Sequence, residues 1–507
     1  MKKMKTDYKN KYIIQALTFC FVVVFLNSCS DYLDEKPISQ PSNVTFWRNG
    51  EDANSAVAGS YSQLRKALNS GLSYYAHGDL GTDVFSTERD LRSEFTDIMK
   101  FKLGISVPVT DTWKPMYKVR DFSIFYSAIK QADLCLKHIP EIPKDEFTDY
   151  ESQYNQYIGE AYFIRAFSYF YMARVWGNVP IVDSSDPDVV DIKNYKREDV
   201  AKVLIKATED CQLALKHLEW NYSTDTDKVV RANAGAAWAL LAHIQAWSGN
   251  YAACEVAAGN VIDSNFYSYI DRNNYIDIFS GQSRESIFEI AQNSEKEAQA
   301  GDGQSLTNFL LRGEYLKTRL NEKETIWQYD LTTLKQTLFD DANDLRRTKG
   351  FAEFSSDWPI LLKYSKVIYT SPTSPLSVNN IVIFRLADIA LLQAEAQAAQ
   401  GKYTEARTTL NNIRVMAGLE DSAETNDKLF EAIIQERGRE LFMEGHRFYD
   451  LVRLAREKKV YKFGDSSSNK ITPSQFESGK SYWPIQPTLL ETNILFTQTE
   501  YWKSEAQ

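Results

Sequence analysis

The sequence predicts a mainly helical fold in which TPR-like (tetratricopeptide-like) helical hairpins form a scaffold interrupted by long irregular insertions and a few short strands. One observation is apolar spacing: Ile383, Leu386 and Ala390 begin a single helical face that continues along the following residues. The other is a pair of glycine turns, at Gly249 and Gly401, each followed two residues later by a tyrosine. Small residues, a glycine turn and an aromatic residue just beyond it are typical of such a hairpin.

Three hairpins are expected, near residues 155–218, 231–263 and 382–416. Gly249 and Gly401 are 152 residues apart, far more than one repeat, so insertions must separate the units. Helical periodicity fades over 71–101 and 266–380, where residues 286–290 read as a strand and 361–369 are expected to hold short strands. Because long insertions in a compact domain commonly carry function, these two stretches are the predicted ligand side.

The first 28 residues are typical of an export signal. Several lysines precede an apolar run of 15 residues, shorter than the ~20 that a membrane-spanning helix needs. The following cysteine, Cys29, ends a segment that resembles a bacterial lipobox, although Asn27 is unusual there. We therefore expect lipidation of Cys29, a lipidated tether over 29–50 and a folded domain over 51–507, with ordinary secretory cleavage as the alternative.

Charge and composition exclude several classes of function. Removing the signal, with its five Lys and one Asp, would change the formal charge from −10 to −14, which argues against nucleic-acid binding. The five histidines are scattered without zinc spacing, so neither a metal nor a cofactor is expected. Cys135, Cys211 and Cys254 are odd in number, so at least one must be free, and burial as small apolar side chains is expected for all three.

Both insertions mix aromatic with polar side chains, a combination suited to the flat C–H faces and the hydroxyl groups of sugars. The candidate ligand-binding residues are Tyr74, Tyr75, Asp79, Asp83, Arg89, Arg92, Tyr315, Trp327 and Tyr329. For each aromatic residue taken alone, the alternative is that it anchors its loop to the scaffold.

A row of carboxylates raises the question of catalysis. Glu436, Glu440 and Glu444 are spaced four residues apart, as on one helical ridge, and two of them could be imagined as a glycosidase pair. Arginines on the same predicted helix favour ion pairs instead, and ion pairs keep a carboxylate ionised, whereas a general acid needs a raised pKa. Those arginines are Arg437, Arg439, Arg447 and Arg453. No nucleophile elbow, phosphate loop or dinucleotide fingerprint is present, so the sequence predicts a binding protein without catalytic residues.

Motifs along the chain follow a common order. They read ERxxELxxEGxRFxDLxR over 436–453, RLAD over 385–388, WGNVP over 176–180 and WPIQP over 483–487. In these motifs, from about Cys29 to the C-terminus, the chain resembles the SusD/RagB family of Bacteroidetes outer-membrane lipoproteins. The acidic stretch just after Cys29 also resembles a surface-export signal of such lipoproteins.

The resemblance implies a lipid-anchored outer-membrane protein, facing the cell exterior, that captures glycan without cleaving it. It also implies delivery to a SusC-like TonB-dependent transporter, over whose extracellular mouth the protein would act as a lid, and insertions that form a shallow ligand surface. Peptide, as in RagB-type uptake, is the alternative ligand within the family. Outside it, the alternatives are a surface glycoside hydrolase and an interaction scaffold, since TPR grooves often bind peptides.

Overall fold

The computed structural model describes residues 46–86, 94–182, 195–292, 297, 299–300, 305–464 and 469–505. The chain forms two units, Met1–Arg48 and Asn49–Gln507. Only residues 46–48 of the first unit are described. The expected signal peptide (1–28), Cys29 and most of the tether (29–50) therefore lie outside the described residues.

Helices dominate the second unit, which confirms the predicted fold class. The described residues include ten helices of at least 12 residues. They are α1 (Gly50–Asn69), α2 (Phe125–His138), α3 (Tyr150–Trp176), α4 (Val200–His217), α5 (Ala234–Trp247), α6 (Tyr251–Asp263), α7 (Leu386–Ala399), α8 (Tyr403–Met416), α9 (Leu429–Glu440) and α10 (Arg447–Lys458). Shorter α-helices are Ser73–Tyr75, Thr96–Met99, Pro115–Val119, Leu306–Leu310, Leu345–Gly350, Pro473–Glu477, Pro487–Thr492 and Glu500–Glu505. Among the described helices, none is both long and apolar enough to cross a membrane.

The long helices pack as antiparallel neighbours: α3 on α4, α5 on α6, and α7 on α8, with α6 also against α7. Gly249 and Gly401 adopt positive φ angles of 75° and 78°, which L side chains rarely adopt, and so allow the tight turns inside two of these pairs. Helix α3 lies at the centre, because nearly every residue from Gln156 to Trp176 is buried. Its apolar residues face all directions, as expected for a helix that is surrounded by others.

Short antiparallel strands complete the fold. They are β1 (Ser286–Ile290), β2 (Gln299–Ala300), β3 (Phe351–Ala352), β4 (Ile360–Leu361), β5 (Val367–Ser371), β6 (Ser374–Ser377) and β7 (Ile381–Arg385). β1 pairs with β7, β2 with β6 and β6 with β5, and β3 with β4. The strand expected at 286–290 is therefore present, and the stretch 361–369 contains the end of β4 and the start of β5.

The start of helix α7 was predicted too early. Residues 382–385, expected to begin the hairpin over 382–416, belong to strand β7, and α7 begins at Leu386. All five β7 residues are buried, and antiparallel pairing with β1 supplies hydrogen-bond partners along one edge of the strand. The helical spacing of Ile383 and Leu386 was fortuitous, because a short buried apolar run has no periodicity that separates strand from helix.

The single helix expected to carry Glu436, Glu440 and Glu444 is broken into α9 and α10. Residues 441–446 form a turn in which Met443 and Gly445 have positive φ angles of 60° and 78°. Side chains of the second insertion satisfy the backbone carbonyls that the break leaves without helical partners. Lys363 Nζ donates to Phe442 O at 2.9 Å, and the Tyr364 hydroxyl donates to Met443 O. Glu444 therefore lies in this turn and not on the same helical ridge as Glu436 and Glu440.

Candidate functional site

The described candidate residues of the first insertion lie in the interior of the protein. Tyr74, Tyr75, Asp79 and Asp83 expose only 2%, 5%, 1% and 6% of their surface. Burial raises the pKa of the Tyr75 phenol, and it raises the pKa of the Asp79 carboxyl to about 8. The prediction that these four side chains are exposed to a ligand is wrong.

Contacts with the turn before α10 and with the first residue of α10 explain why these polar groups are buried. Asp79 Oδ2 accepts a hydrogen bond from the Gly445 N–H at 2.7 Å, and Asp83 pairs with Arg447 at 2.6 Å. Buried polar groups need such partners, so the polar residues of this insertion attach it to the scaffold. Arg89 and Arg92, the other two candidates of this stretch, lie outside the described residues.

Two aromatic candidates of the second insertion are buried as well. Trp327 is fully buried and Tyr329 is 2% exposed, so the prediction that they are exposed is wrong. Trp327 stacks on Phe309 with ring centroids 4.6 Å apart, and Tyr329 packs on Phe85 at 5.5 Å. Phe85 and Tyr329 also form an isolated antiparallel bridge. These rings are the shared core of the two insertions, which is the anchoring alternative considered for each of them.

Among the candidates that the structure describes, Tyr315 is the one that remains accessible. It ends a 3-10 turn, Gly313–Tyr315, and is half-buried against an apolar cluster that includes Leu316 and Ile360. The adjacent Lys317 donates its N–H to the Tyr369 hydroxyl at 2.9 Å and places Nζ 4.7 Å from the centre of that half-buried ring. Two partly exposed tyrosines and a cation therefore share one outer face of the second insertion.

An ion pair joins this face to the segment 353–358, which carries a further partly exposed aromatic residue. Arg312 donates to Glu353 at 2.7 Å and to the carbonyl of Trp358 at 3.0 Å. Trp358 is half-buried and Glu353 is exposed. We name this face, consisting of Tyr315, Lys317, Glu353, Trp358 and Tyr369, the insertion surface. It offers ring faces beside donors and acceptors of hydrogen bonds, the combination that recognises sugars.

Sequence reasoning missed Tyr369 and Trp358. Tyr369 could have been noticed because it lies in a predicted strand that mixes polar and apolar residues. In the structure this strand, β5, consists of partly buried and exposed residues. Trp358 follows a polar turn, where an aromatic residue has no helical or strand partner. Neither signal distinguishes an exposed ring from a buried one without the fold.

The three glutamates serve as partners in buried ion pairs. Although burial opposes ionisation, Arg439 and Arg346 lower the pKa of Glu436 to about 2. For Glu440 and Glu444, neighbouring cations likewise outweigh burial and lower the pKa of both carboxyls. The predicted ion pairing is thus found, but most of the partners come from outside α9. The partners are Arg272, Arg346 and Arg385 for Glu440, Arg385 and Lys363 for Glu444, and Arg346, Arg414 and Arg439 for Glu436.

Sequence spacing indicated no metal site, yet the fold brings three potential ligands together. His243, Asp388 and His446 have ligand atoms within 4.8 Å of one another. Asp388 is already engaged, because it lies 2.8 Å from His243 Nε2 and 2.9 Å from Arg437 Nη2. Burial opposes ionisation of Asp388, but His243, His446 and Arg437 lower its pKa well below the usual range. The arrangement is a buried contact between α5, α7, α9 and the start of α10, in which Arg437 of α9 pairs with Asp388.

The three cysteines of the folded domain are free and buried, as predicted. Burial raises the pKa of the Cys135 thiol to about 12, and it also raises the pKa of Cys211 and Cys254. None of them is therefore a reactive thiolate near neutral pH.

Two family models match the chain. One, described as the SusD family, covers residues 315–502, and the other, described as starch-binding associating with outer membrane, covers residues 31–245. The chain belongs to the SusD/RagB family. This membership confirms the resemblance that the sequence motifs indicated.

Individual members of the SusD/RagB family match over nearly the whole chain. The SusD-like protein P38 of Formosa agariphila is 27% identical over 486 residues, covering 88% of this chain and 92% of the relative. A SusD-like protein of Bacteroides ovatus is 23% identical over 487 residues, with coverage of 89% and 83%. The crystal structure of a SusD homolog from Bacteroides thetaiotaomicron matches with a TM-score of 0.76 and 26% identity, covering 90% of this chain and 99% of the other.

Proposed function

We propose that this protein is a non-catalytic, lipid-anchored binding protein that captures glycan outside the cell and delivers it to a SusC-like TonB-dependent transporter. The observation that supports it best is the insertion surface, on a member of a family one of whose models is described as starch-binding. Tyr315, Tyr369 and Trp358 supply partly exposed rings there, and Lys317 and Glu353 supply charged hydrogen-bonding groups.

Glycan suits this surface for a physical reason. A sugar ring presents C–H bonds on its face and hydroxyl groups around its edge, so it gains from an aromatic face with polar groups beside it. The Lys317 contact holds the Tyr369 ring in place, which lowers the entropic cost of ordering it on binding. Peptide, as in RagB-type uptake, remains the alternative ligand.

The electrostatics of the carboxylates favour binding without cleavage. A glycosidase needs one carboxyl group with a raised pKa that can reach the glycosidic oxygen. Glu436, Glu440 and Glu444 have lowered pKa values and are buried. Asp79 has a raised pKa of about 8, but it is 1% exposed and cannot touch a polymer.

Anchoring and delivery follow from the amino-terminal segment and the family. Lipidation of Cys29 would tether the domain to the outer membrane, and the acidic stretch after it would direct the protein to the outer face. The domain would then act as a lid over the transporter, releasing glycan into it as the lid moves.

Affinity electrophoresis of the full chain through gels containing amylopectin, xylan, mannan or galactan tests the binding proposal. The double variant Tyr315→Ala/Tyr369→Ala should lose at least roughly tenfold in affinity for the polysaccharide that retards the wild type, since each stacked ring contributes ~1 kcal/mol. Tyr150→Ala is a matched control, because Lys144 also lies over the half-buried Tyr150 ring, at 4.5 Å, outside the insertions.

Three results would count against the proposal. Equal retardation of the double variant and the wild type would exclude the insertion surface. Accumulation of reducing ends during incubation would show hydrolysis. Tight binding of a peptide mixture, without retardation in any of the gels, would favour the peptide alternative.

A further inference from the structure

A second groove lies on the helical scaffold, outside both insertions. Its volume is about 790 Å³, and it is lined mainly by residues of α6 and α7 together with Trp220, which follows α4. The residues used in the argument below are Trp220, Val256, Gly259, Asn260, Asp263 and Gln393. None of them belongs to the insertion surface.

The indole of Trp220 is held in a defined position. Its ring packs on Phe266 with centroids 6.0 Å apart and against Tyr267 at 6.5 Å. Helix α5 packs closely against the other side of the ring, since a Cβ at Gly235 would lie 2.8 Å from Trp220 Cζ3. Trp220 is nevertheless partly exposed and lines the groove, so a pre-positioned ring is available there.

Polar groups in the groove have unused hydrogen-bonding capacity. Within the described part of the chain, the side chains of Gln393 and Asp263 make no hydrogen bond, and Asn260 uses only Nδ2, which donates to Val256 O at 2.9 Å. Gly259 leaves the Gln393 amide accessible, because a Cβ there would lie 3.5 Å from Gln393 Nε2. An amide, a carboxylate and a free amide oxygen therefore surround the space next to the indole.

The charge of the groove favours a neutral ligand. Its basic residue, Lys402, is already paired with Glu255 at 2.6 Å, and Gln400 donates to the same carboxylate at 2.8 Å. Asp263 then leaves the groove with a net negative charge, which repels anions. The groove lacks the features that bind peptides. Val256 is an isolated exposed apolar side chain, and the walls of the groove are helices, which offer no strand edge for an extended peptide to pair with.

We propose that this groove is a second carbohydrate subsite that takes an uncharged sugar unit, with Trp220 stacking on its ring and Gln393, Asp263 and Asn260 bonding its hydroxyl groups. The inference rests on the proposed function and extends it from one glycan contact to two. Two sites on one chain hold a polymer more tightly than either site holds a short oligosaccharide, because the second contact is intramolecular.

Four full-length proteins test the proposal in the same polysaccharide gels: the wild type, Trp220→Ala, Tyr315→Ala/Tyr369→Ala, and the triple variant. Trp220→Ala should weaken binding roughly tenfold, and the triple variant should lose the binding that the double variant retains. Trp220→Phe should keep most of the affinity, and Gln393→Ala, on a different helix, should weaken it independently. Tyr150→Ala is the control, and thermal melting verifies that every variant is folded.

A local measurement complements the affinities. On addition of oligosaccharides cut from the polysaccharide that binds, amide hydrogen exchange in α6 (Tyr251–Asp263) should slow in the wild type and not in Trp220→Ala. Slowing of α6 exchange by a peptide mixture, and not by these oligosaccharides, would overturn the carbohydrate assignment.

The outcomes separate the two proposals. If Trp220→Ala binds polysaccharide like the wild type while Tyr315→Ala/Tyr369→Ala does not bind, the groove is not a subsite and the proposed function stands. If Trp220→Ala loses binding while Tyr315→Ala/Tyr369→Ala binds like the wild type, the groove stands and the insertion surface fails. A wild type that binds none of the four neutral polysaccharides overturns the neutral subsite, and binding of peptide in their place overturns the glycan function as well.

Discussion

At the scale of single residues, the core of this protein depends on buried charges whose partners come from several elements. Glu440 accepts from Arg272 and Arg385 at 2.8 Å and from Arg346 at 3.0 Å, and all four side chains are at most 1% exposed. Removing the Glu440 charge would leave each of these buried arginines with one acceptor fewer and the cluster with an excess of positive charge, although each keeps another carboxylate. The contacts therefore act as a unit that joins α9 to strand β7 and to the second insertion.

Glu440→Gln should lower the free energy of unfolding by about 3–5 kcal/mol, because three arginines would lose their shared carboxylate. Urea denaturation followed by circular dichroism measures this change. Glu500→Gln, which removes an exposed carboxylate paired with Lys503 at 2.8 Å, should leave the urea midpoint unchanged. Equal midpoints for Glu440→Gln and the wild type would show that the buried network contributes little.

Buried histidines predict a loss of stability in mild acid. Burial lowers the pKa of His77 to about 3 and of His446 to about 4, and it also lowers the pKa of His217 and His243. Below pH ~6.5 the unfolded chain takes up these protons and the native protein does not, so stability falls as the pH decreases. Asp79 and Asp133 act in the opposite direction, because their raised pKa values let the native state hold a proton, but four histidines outnumber these two carboxyl groups.

The urea midpoint should therefore be lower at pH 5 than at pH 7. His77→Gln should reduce the difference, because it removes one group that titrates in the unfolded state only. His77 lies 2.9 Å from the Tyr171 hydroxyl and 2.8 Å from Val119 O, contacts that glutamine can partly replace. A midpoint that is the same at both pH values in the wild type would contradict the assignment of neutral, buried imidazoles.

At the scale of elements, the position of the first insertion is set by a close backbone approach. A Cβ at Gly78 would lie 2.2 Å from Gly445 O, and a Cβ at Gly445 would lie 2.5 Å from Tyr74 Cε1. The short helical stretch Ala76–Leu80 can thus contact the turn between α9 and α10 only because both positions are glycine. This contact explains why Tyr74 and Asp79 are interior residues.

Gly78→Ala should lower the free energy of unfolding by at least about 3 kcal/mol, since backbone must move to admit the methyl group. Gly59→Ala is the matched control, because Gly59 lies inside α1 and its Cβ would make an ordinary contact, 3.7 Å from Gln131. That substitution should raise the free energy of unfolding by about 0.5–1 kcal/mol through helix propensity. Thermal and urea denaturation of both variants provide the comparison, and a Gly78→Ala protein as stable as the wild type would contradict the close approach.

At the scale of the whole molecule, the proposed location depends on the amino-terminal segment. Cys29→Ser should move the protein from the membrane fraction to the soluble fraction when cells are lysed and centrifuged, because the acyl chains supply the anchor. Cys20→Ser is the control, since Cys20 lies in the apolar run that precedes the expected cleavage point. Retention of the Cys29→Ser protein in the membrane would exclude lipid anchoring at that residue, and resistance of the wild type to protease on intact cells would exclude display on the outer face.

The sequence by itself determined the features that depend on local pattern: the helical hairpins around Gly249 and Gly401, the strand at 286–290, the burial of Cys135, Cys211 and Cys254, and the family motifs. Each of these follows from the spacing or the order of neighbouring residues. The ion pairing of the glutamates was also predictable, although most of their partners were not, because those arginines are distant in the sequence.

Only the tertiary structure decided which aromatic residues face solvent. The sequence neighbours of Tyr74 and Trp327 are similar in composition to those of Tyr315 and Tyr369. Tyr74 and Trp327 are nevertheless buried, whereas Tyr315 and Tyr369 are partly exposed. The difference arises from segments hundreds of residues away, such as Gly445 against Tyr74, and from Phe309 against Trp327. Whether a residue of an irregular segment is buried depends on which distant segments pack over it. The local sequence has no periodicity from which that packing could be predicted.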